Sequence, residues 1–145
     1  DLRALCGRVA DEAQQDARVH GGEVTLRGDF GLIQGDEVLL RQAFDNLLRN
    51  ALEACSGATV VPRVLVEGTV DRARGTCTIT VDDNGPGVPV PTRERIFQPF
   101  ITSKKHGTGL GLALVQKIVV SHNGRVSVGS SPLGGARLQV VLPII

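Results

Sequence analysis

The chain has 145 residues, enough for one domain with a single substantial hydrophobic core. Hydrophobic residues make up 41% of it and charged residues 21%, and the net charge of +1 argues against a general attraction to nucleic acid or anionic membranes. Four Phe, with neither Tyr nor Trp, leave few aromatic faces for stacked bases. No apolar run approaches the roughly 20 residues of a membrane span.

The three cysteines, Cys6, Cys55 and Cys77, are widely spaced and lack the paired spacing of metal sites. They are typical of small buried residues in a reducing compartment, so we expect the chain to lie in the cytoplasm, whether or not the full protein is membrane-bound. The start, Asp1-Leu2-Arg3, has neither an initiating Met nor a signal-peptide pattern. We therefore expect one domain, residues 1–145, cut from a longer protein.

Apolar positions at helical spacing predict a first helix over 2–18. A short strand, Glu23–Arg27, follows the turn at 20–22, and Asp36 is a suitable N-cap for a long helix that reaches about Cys55. This second helix carries a wide apolar stripe, which predicts that one face packs on the core.

Two antiparallel hairpins are predicted by alternating apolar runs around the polar turns 71–75 and 131–135. Between them, residues 83–107 lack periodicity and contain four prolines, which is typical of a long functional loop. A third helix follows over 108–122 and ends at Asn123-Gly124. The predicted fold is α/β (α+β), a two-layer sandwich with helices on one face of a mixed, mostly antiparallel sheet.

A polar stripe flanks the apolar stripe of the second helix and contains Gln42, Asn46, Asn50 and Glu53. Amide oxygens one turn apart can face a cation or another ligand. Taken alone, the same pattern is also that of an exposed polar helix face.

Two glycine-containing segments follow. Asp83-Asn-Gly-Pro-Gly87 comes at the end of a predicted strand and leaves a carboxylate facing open space, although the same residues also make an ordinary turn. Gly107-Thr-Gly-Leu-Gly-Leu112 opens a predicted helix, where backbone N–H groups can meet phosphate oxygens. No strand precedes the second segment, so it does not fit a dinucleotide fold, and the Walker pattern is absent.

Taken in order, these segments resemble the N, first glycine, phenylalanine and second glycine boxes of sensor histidine kinases. The matching segments are 46–51, 83–87, Ile96-Phe-Gln-Pro-Phe100 and 107–112. Histidine kinases share the GHKL superfamily with gyrase, MutL and heat-shock chaperone ATPases. The resemblance runs from about 36 to 143 and implies a Bergerat-type ATP-binding fold, while the short loop 100–107 looks most like the lid of the nitrogen-regulation kinases.

The resemblance implies that the chain binds ATP with Mg²⁺. Asn50 would place its amide oxygen on Mg²⁺, with Asn46 one turn away helping to hold phosphates and metal. Asp83 would accept the adenine amino group and repel the carbonyl oxygen of guanine. Phe97 and Phe100 would anchor the lid to the core. The remaining ATP-binding residues implied in this way are Gly85, Gly87, Thr102, Lys104, Gly107, Thr108, Gly109, Leu110 and Gly111, with Arg49 as a further candidate.

Two departures from relatives bear on the reaction. Position 46 is Asn, where the ATPases of the superfamily carry a Glu that activates water, so the resemblance implies a kinase without a catalytic residue of its own beyond ATP and Mg²⁺ positioning. Ala136 stands where relatives often have Thr, which implies one missing hydrogen bond near the base. The histidines His20, His106 and His122 are interpreted as bystanders, and no phosphoacceptor segment is present.

The function implied is transfer of the γ-phosphoryl group of ATP to a histidine on a separate dimerisation domain, in two-component signalling with a downstream response regulator. Without that phosphoacceptor domain we expect no autophosphorylation and a monomeric chain, with no nucleic-acid partner. A serine kinase of the anti-sigma-factor type and a non-catalytic nucleotide-sensing module are the alternatives.

Overall fold

The structure, a computed structural model, describes residues 1–19, 21–57, 61–98 and 111–145. Within these residues the chain forms helices α1 (Leu2–Val19), α2 (Glu37–Gly57) and α3 (Gly111–Ser121), a 3₁₀ helix (Val90–Arg95), and strands β1 (Glu23–Gly28), β2 (Arg63–Asp71), β3 (Thr76–Asp83), β4 (Arg125–Ser130) and β5 (Ala136–Pro143).

The described strands form one sheet in the order β1-β2-β3-β5-β4. β1 runs parallel to β2, whereas β2–β3, β3–β5 and β5–β4 are antiparallel. The parallel pair requires a crossover, which α2 provides. The predicted mixed, mostly antiparallel sheet is therefore confirmed.

The helices cover one face of the sheet. Alternate residues of β3, namely Cys77, Ile79 and Val81, join the same buried cluster as Leu47 of α2 and Val115 of α3. On the opposite face the alternate residues are mostly polar, and the row through β2, β3 and β5 reads Glu67, Thr80 and Gln139. This alternation is the period of two that a sheet covered on one side requires.

The ends of α2 and α3 agree with the predicted caps. The Asp36 carboxylate accepts the N–H of Leu39 at 3.1 Å, as an N-cap does. Asn123 adopts φ 62°, and the N–H of Gly124 donates to the carbonyl of Val119 at 3.0 Å, which closes α3.

His122 joins these two caps. The backbone N–H of Asp36 donates to His122 Nε2 at 3.0 Å, while His122 Nδ1 lies 2.8 Å from the carbonyl oxygen of Ile118. The end of α3 is thereby connected to the start of α2. The sequence predicts a bystander at His122 and misses this structural role, because Asp36 lies 86 residues away in the chain.

One element was not predicted. Residues 90–95 form a 3₁₀ helix inside the segment expected to be a plain loop. Its first turn contains a proline, whose fixed φ suits a helical start, and Thr92 N–H donates to the carbonyl of Pro89 at 2.9 Å. Sequence periodicity misses so short an element because it spans barely two turns.

Within the described residues no helix is long and apolar enough to cross a membrane.

Candidate functional site

The Asp83 carboxylate lies at the end of β3 and is only 1% exposed. Its Oδ1 accepts the backbone N–H of Gly85 at 2.9 Å and that of Ala136 at 3.1 Å. The backbone carbonyl of Asp83 accepts the N–H of Gly135 at 3.1 Å. Two chain segments, the turn after β3 and the start of β5, therefore hold this residue through main-chain donors.

Gly135 leaves no room for a side chain. A Cβ there would lie 2.1 Å from Asp83 Oδ1 and 2.6 Å from the nitrogen of Gly85. Only glycine allows the backbone of the β4–β5 turn to approach the carboxylate this closely. Ala136, the departure noted in the sequence, contributes its backbone N–H here; that a relative's Thr would add a further hydrogen bond stays a prediction.

Asn84 anchors the turn to the rest of the fold. Its Oδ1 accepts the N–H of Arg63 at 2.9 Å and the thiol of Cys55 at 3.1 Å, and its Nδ2 donates to the carbonyl of Val61 at 2.9 Å. The end of α2 and the start of β2 are thus connected to the residue next to Asp83. Burial raises the pKa of the Cys55 thiol, which keeps it protonated and able to donate.

The polar stripe of α2 leads to the same turn. Asn46 and Asn50 are half-buried, and Ala54, one turn after Asn50, lies close to Gly85. A Cβ added at Gly85 would lie 3.1 Å from the backbone carbonyl carbon of Ala54. From the 1.5 Å rise per residue, Asn50 and Asn46 lie roughly 6 and 12 Å along the helix from this contact. Asn50 and Asn46 therefore lie one and two turns from the point where α2 meets the Asp83 turn.

Glu53 and Arg49 belong to a different feature. Both line a surface groove between α1 and α2, together with Glu12, Asp16 and Asp45, whereas Asp83, Asn46 and Asn50 do not. Arg49 also pairs with Asp45 at 2.8 Å. Arg49 therefore belongs, by its ion pair and its position, to the groove side of α2.

The segment after the turn is fixed by Arg93, which sequence reasoning missed. Its Nε donates to the carbonyl of Val88 and its guanidinium NH2 to Ser130 Oγ, both at 2.9 Å. Gly87, with φ 79°, turns the chain in a conformation that favours glycine. Phe97 is buried in the main hydrophobic cluster, which confirms that it packs on the core.

Several predicted site residues lie outside the described residues, so their roles stay predictions. Gly111 is described and begins α3. The others are Thr102, Lys104, Gly107, Thr108, Gly109 and Leu110, together with Phe100 and the histidines His20 and His106.

Comparison with known proteins identifies relatives. Residues 35–145 match the family described as histidine kinase-, DNA gyrase B-, and HSP90-like ATPase. The sensory histidine kinase/phosphatase NtrB of Rhodobacter capsulatus is 40% identical over 149 residues, covering 94% of this chain and 42% of that protein. The sensor histidine kinase CpxA of Escherichia coli is 37% identical over 148 residues, covering 97% and 31%.

A solved structure gives the same result for the fold. The crystal structure of full-length ShkA in complex with AMPPNP superposes with a TM-score of 0.84 at 32% identity, covering 99% of this chain and 30% of that one. The chain thus spans less than half the length of each of these three relatives. The predicted resemblance to sensor histidine kinases is confirmed, and the particular likeness of the loop 100–107 to nitrogen-regulation kinases stays a prediction.

Proposed function

The chain belongs to the family of histidine kinase-, DNA gyrase B-, and HSP90-like ATPases, and on this premise we propose that it binds ATP with Mg²⁺ and passes the γ-phosphoryl group to a histidine of a dimerisation domain. The observation that carries the proposal is the buried Asp83 carboxylate, held by two backbone N–H groups in a turn that lies against Ala54 of α2, the helix that also carries Asn50 and Asn46. An extended ligand fits this arrangement, with its base at Asp83 and its phosphates toward the amides.

Asp83 selects the base. Its carboxylate accepts the amino group of adenine, whereas guanine presents a carbonyl oxygen at the corresponding position. Leaving a buried polar group unpaired costs about 1–3 kcal/mol, so we expect a preference for adenine of about ten- to a hundredfold. Because two backbone donors already hold Oδ1, the carboxylate needs no rearrangement to select the base.

The residues present suit a magnesium ion that arrives with the nucleotide. Asn50 and Asn46 offer neutral amide oxygens, and Mg²⁺ prefers oxygen ligands while keeping waters and phosphates around it. Among the residues that the structure describes, no group of three or more His, Cys, Asp or Glu side chains is placed to hold a metal. When bound, Mg²⁺ supplies charge neutralisation at the phosphates.

Asn46 favours phosphoryl transfer over hydrolysis. A neutral amide takes no proton from water, so the chain has no general base at the position where the related ATPases carry Glu. Its own residues bind and orient the nucleotide, and positioning supplies most of the rate. Gly107–Gly111 and Lys104 line the phosphate path in this proposal, and the acceptor histidine comes from another domain.

The partners follow from the same proposal. They are the dimerisation domain of the same protein, which provides the histidine, and a response regulator that receives the phosphoryl group. Residues 1–145 form a single catalytic domain that faces the cytoplasm and is monomeric on its own.

Two experiments test the function. The chain is first titrated calorimetrically with ADP and a non-hydrolysable ATP analogue, each with and without Mg²⁺; absence of binding by the folded chain would overturn the proposal. The chain is then incubated with ATP and the separately produced dimerisation domain, and we expect acid-labile phosphate on histidine. Acid-stable phosphate on a hydroxyl would instead indicate a serine kinase, and nucleotide binding without transfer would indicate a sensing module.

A further inference from the structure

The residue before Asp83 is also a buried carboxylate, but it lies on the opposite face of the sheet. Asp82 is 1% exposed and accepts two hydrogen bonds from Arg137, from Nε at 2.8 Å and from a guanidinium NH2 at 3.1 Å. Paired, two-point contact of this kind fixes orientation as well as distance. Burying the Asp82 charge without this partner would be strongly unfavourable, so we expect the pair to stay closed.

The pair lies directly beside the contacts that hold Asp83. Asp82 and Arg137 are partners in the β3–β5 register. One residue further on, Ala136 N–H donates to Asp83 Oδ1 and Gly135 N–H donates to the Asp83 carbonyl. Beyond Gly135 the chain leaves the sheet through the turn to β4, so Asp82–Arg137 is the last register pair of β3 with β5 before the Asp83 contacts.

We propose that Arg137 is a positioning residue for base selection: by clamping Asp82 it fixes the start of β5 against the end of β3 and so holds the Asp83 carboxylate in the orientation that rejects guanine. The inference rests on the proposed function, because it assumes that Asp83 reads the base. A carboxylate free to rotate still accepts the amino group of adenine, but it can also turn away from the carbonyl of guanine. Loosening the clamp therefore lowers selectivity more than it lowers affinity for adenine.

A second ion pair on the same face provides a matched control. Arg27 on β1 pairs with Glu67 on β2 at 2.7 Å, and both side chains point to the polar face. β3 separates this pair from β5 in the sheet, and the Glu67 charge, which stays in place when Arg27 is replaced, also helps to raise the pKa of Arg137. Arg27→Met thus removes a cross-strand arginine from the same surface without touching the Asp83 contacts.

The test is the ratio of the dissociation constants for GDP and ADP, measured by calorimetry on the whole chain and on Arg137→Met, Arg137→Lys and Arg27→Met, with thermal melting of each. We expect Arg137→Met to reduce the ratio about fivefold, while ADP affinity falls less than threefold. Arg137→Lys should recover part of the ratio, because the ammonium group keeps the positive charge but cannot make the two-point contact of the planar guanidinium. Arg27→Met should leave the ratio unchanged.

A purely structural role gives a different result. If Arg137→Met lowers the melting temperature and weakens both nucleotides equally, so that the ratio is unchanged, the positioning role is wrong. If Arg137→Met does not fold, the ratio of the GDP and ADP dissociation constants is compared between Arg137→Lys and the parent chain instead, and an unchanged ratio contradicts the positioning role. A parent chain without adenine preference overturns the assignment of Asp83 itself, and this outcome is distinguishable because it appears before any Arg137 variant is made.

Discussion

At the end of β3 the Asp83 carboxylate is 1% exposed and held by two backbone N–H groups, whereas Asn46 and Asn50 present half-buried neutral amides from one face of α2. The first region is organised by the fold before any ligand arrives. The second region offers amide oxygens, which suit a cation only when phosphates complete the coordination shell of that cation. Base selection should therefore be independent of Mg²⁺, while phosphate binding should depend on it.

The largest expected effect comes from removing the charge at the organised end. In Asp83→Asn, the amide nitrogen or oxygen must replace a carboxylate that accepts from the backbone and, in the function proposed above, from adenine. We expect ADP affinity to fall about a hundredfold, with or without Mg²⁺, because hydrogen bonds to charged groups contribute about 1.5–3 kcal/mol each. Calorimetric titration measures this, and Asp11→Asn, on the exposed surface of α1, is the control.

An equal loss in Asp11→Asn, or an unchanged affinity in Asp83→Asn, would contradict the role of Asp83.

The next largest effect comes from adding a methyl group. In Gly135→Ala the new Cβ would meet Asp83 Oδ1 at 2.1 Å, so the β4–β5 turn and the carboxylate must move apart. Overpacking of this kind costs about 1–3 kcal/mol, and we expect a lower melting temperature together with a roughly tenfold weaker affinity for ADP. Gly129→Ala is the matched control, because a Cβ there meets open space. Normal ADP binding by Gly135→Ala would show that the close approach is not required.

A smaller effect should appear at the α2 end, and only with the metal present. In Asn50→Ala we expect affinity for the ATP analogue to fall about five- to tenfold in Mg²⁺ and to change less than twofold in chelator, since the variant loses the oxygen that we propose as a ligand to the ion. Gln42→Ala, an exposed position on the same stripe, should bind like the parent chain. A loss for Asn50→Ala that is equal with and without Mg²⁺ would contradict the distinction between the two ends.

The smallest effect concerns Cys55, whose thiol donates to Asn84. Cys55→Ala removes a weak donor and a buried sulfur, so we expect about 1 kcal/mol lower stability and less than a twofold change in ADP affinity. Burial raises the Cys55 pKa above its ordinary 9.0, so the thiol's contribution is present below pH 9 and is lost as pH rises beyond it. Thermal melting between pH 7 and 10 should therefore show a steeper decline for the parent than for Cys55→Ala.

The local sequence pattern is sufficient to predict where Asp83 lies in the fold. The alternation of Cys77, Ile79 and Val81 puts residue 83 on the core face at the end of a strand, and the glycines after it predict a turn. The partners of Asp83 were not predictable in this way. Ala136 lies 53 residues away, and β5 reaches the carboxylate only because the sheet order places it beside β3.

The second helix shows the same limit. Its amide stripe followed from helical periodicity alone, but the pattern did not separate Asn46 and Asn50 from Glu53, which lines the groove between α1 and α2. That separation depends on which neighbour packs against each side of the helix. At Asn84 the sequence predicts only a turn residue, because its hydrogen bonds to Arg63 and Val61 depend on the fold, which brings the start of β2 beside it.

The contact between Asp36 and His122 has a consequence for the histidine ring itself. A backbone N–H always donates, so Nε2 must accept and carry no proton. The ring proton then resides on Nδ1, where it can donate to the carbonyl of Ile118. His122 is therefore expected in the neutral Nδ1–H tautomer, less usual in free histidine, and its ring-nitrogen chemical shifts offer a spectroscopic label for the packing of α2 against α3.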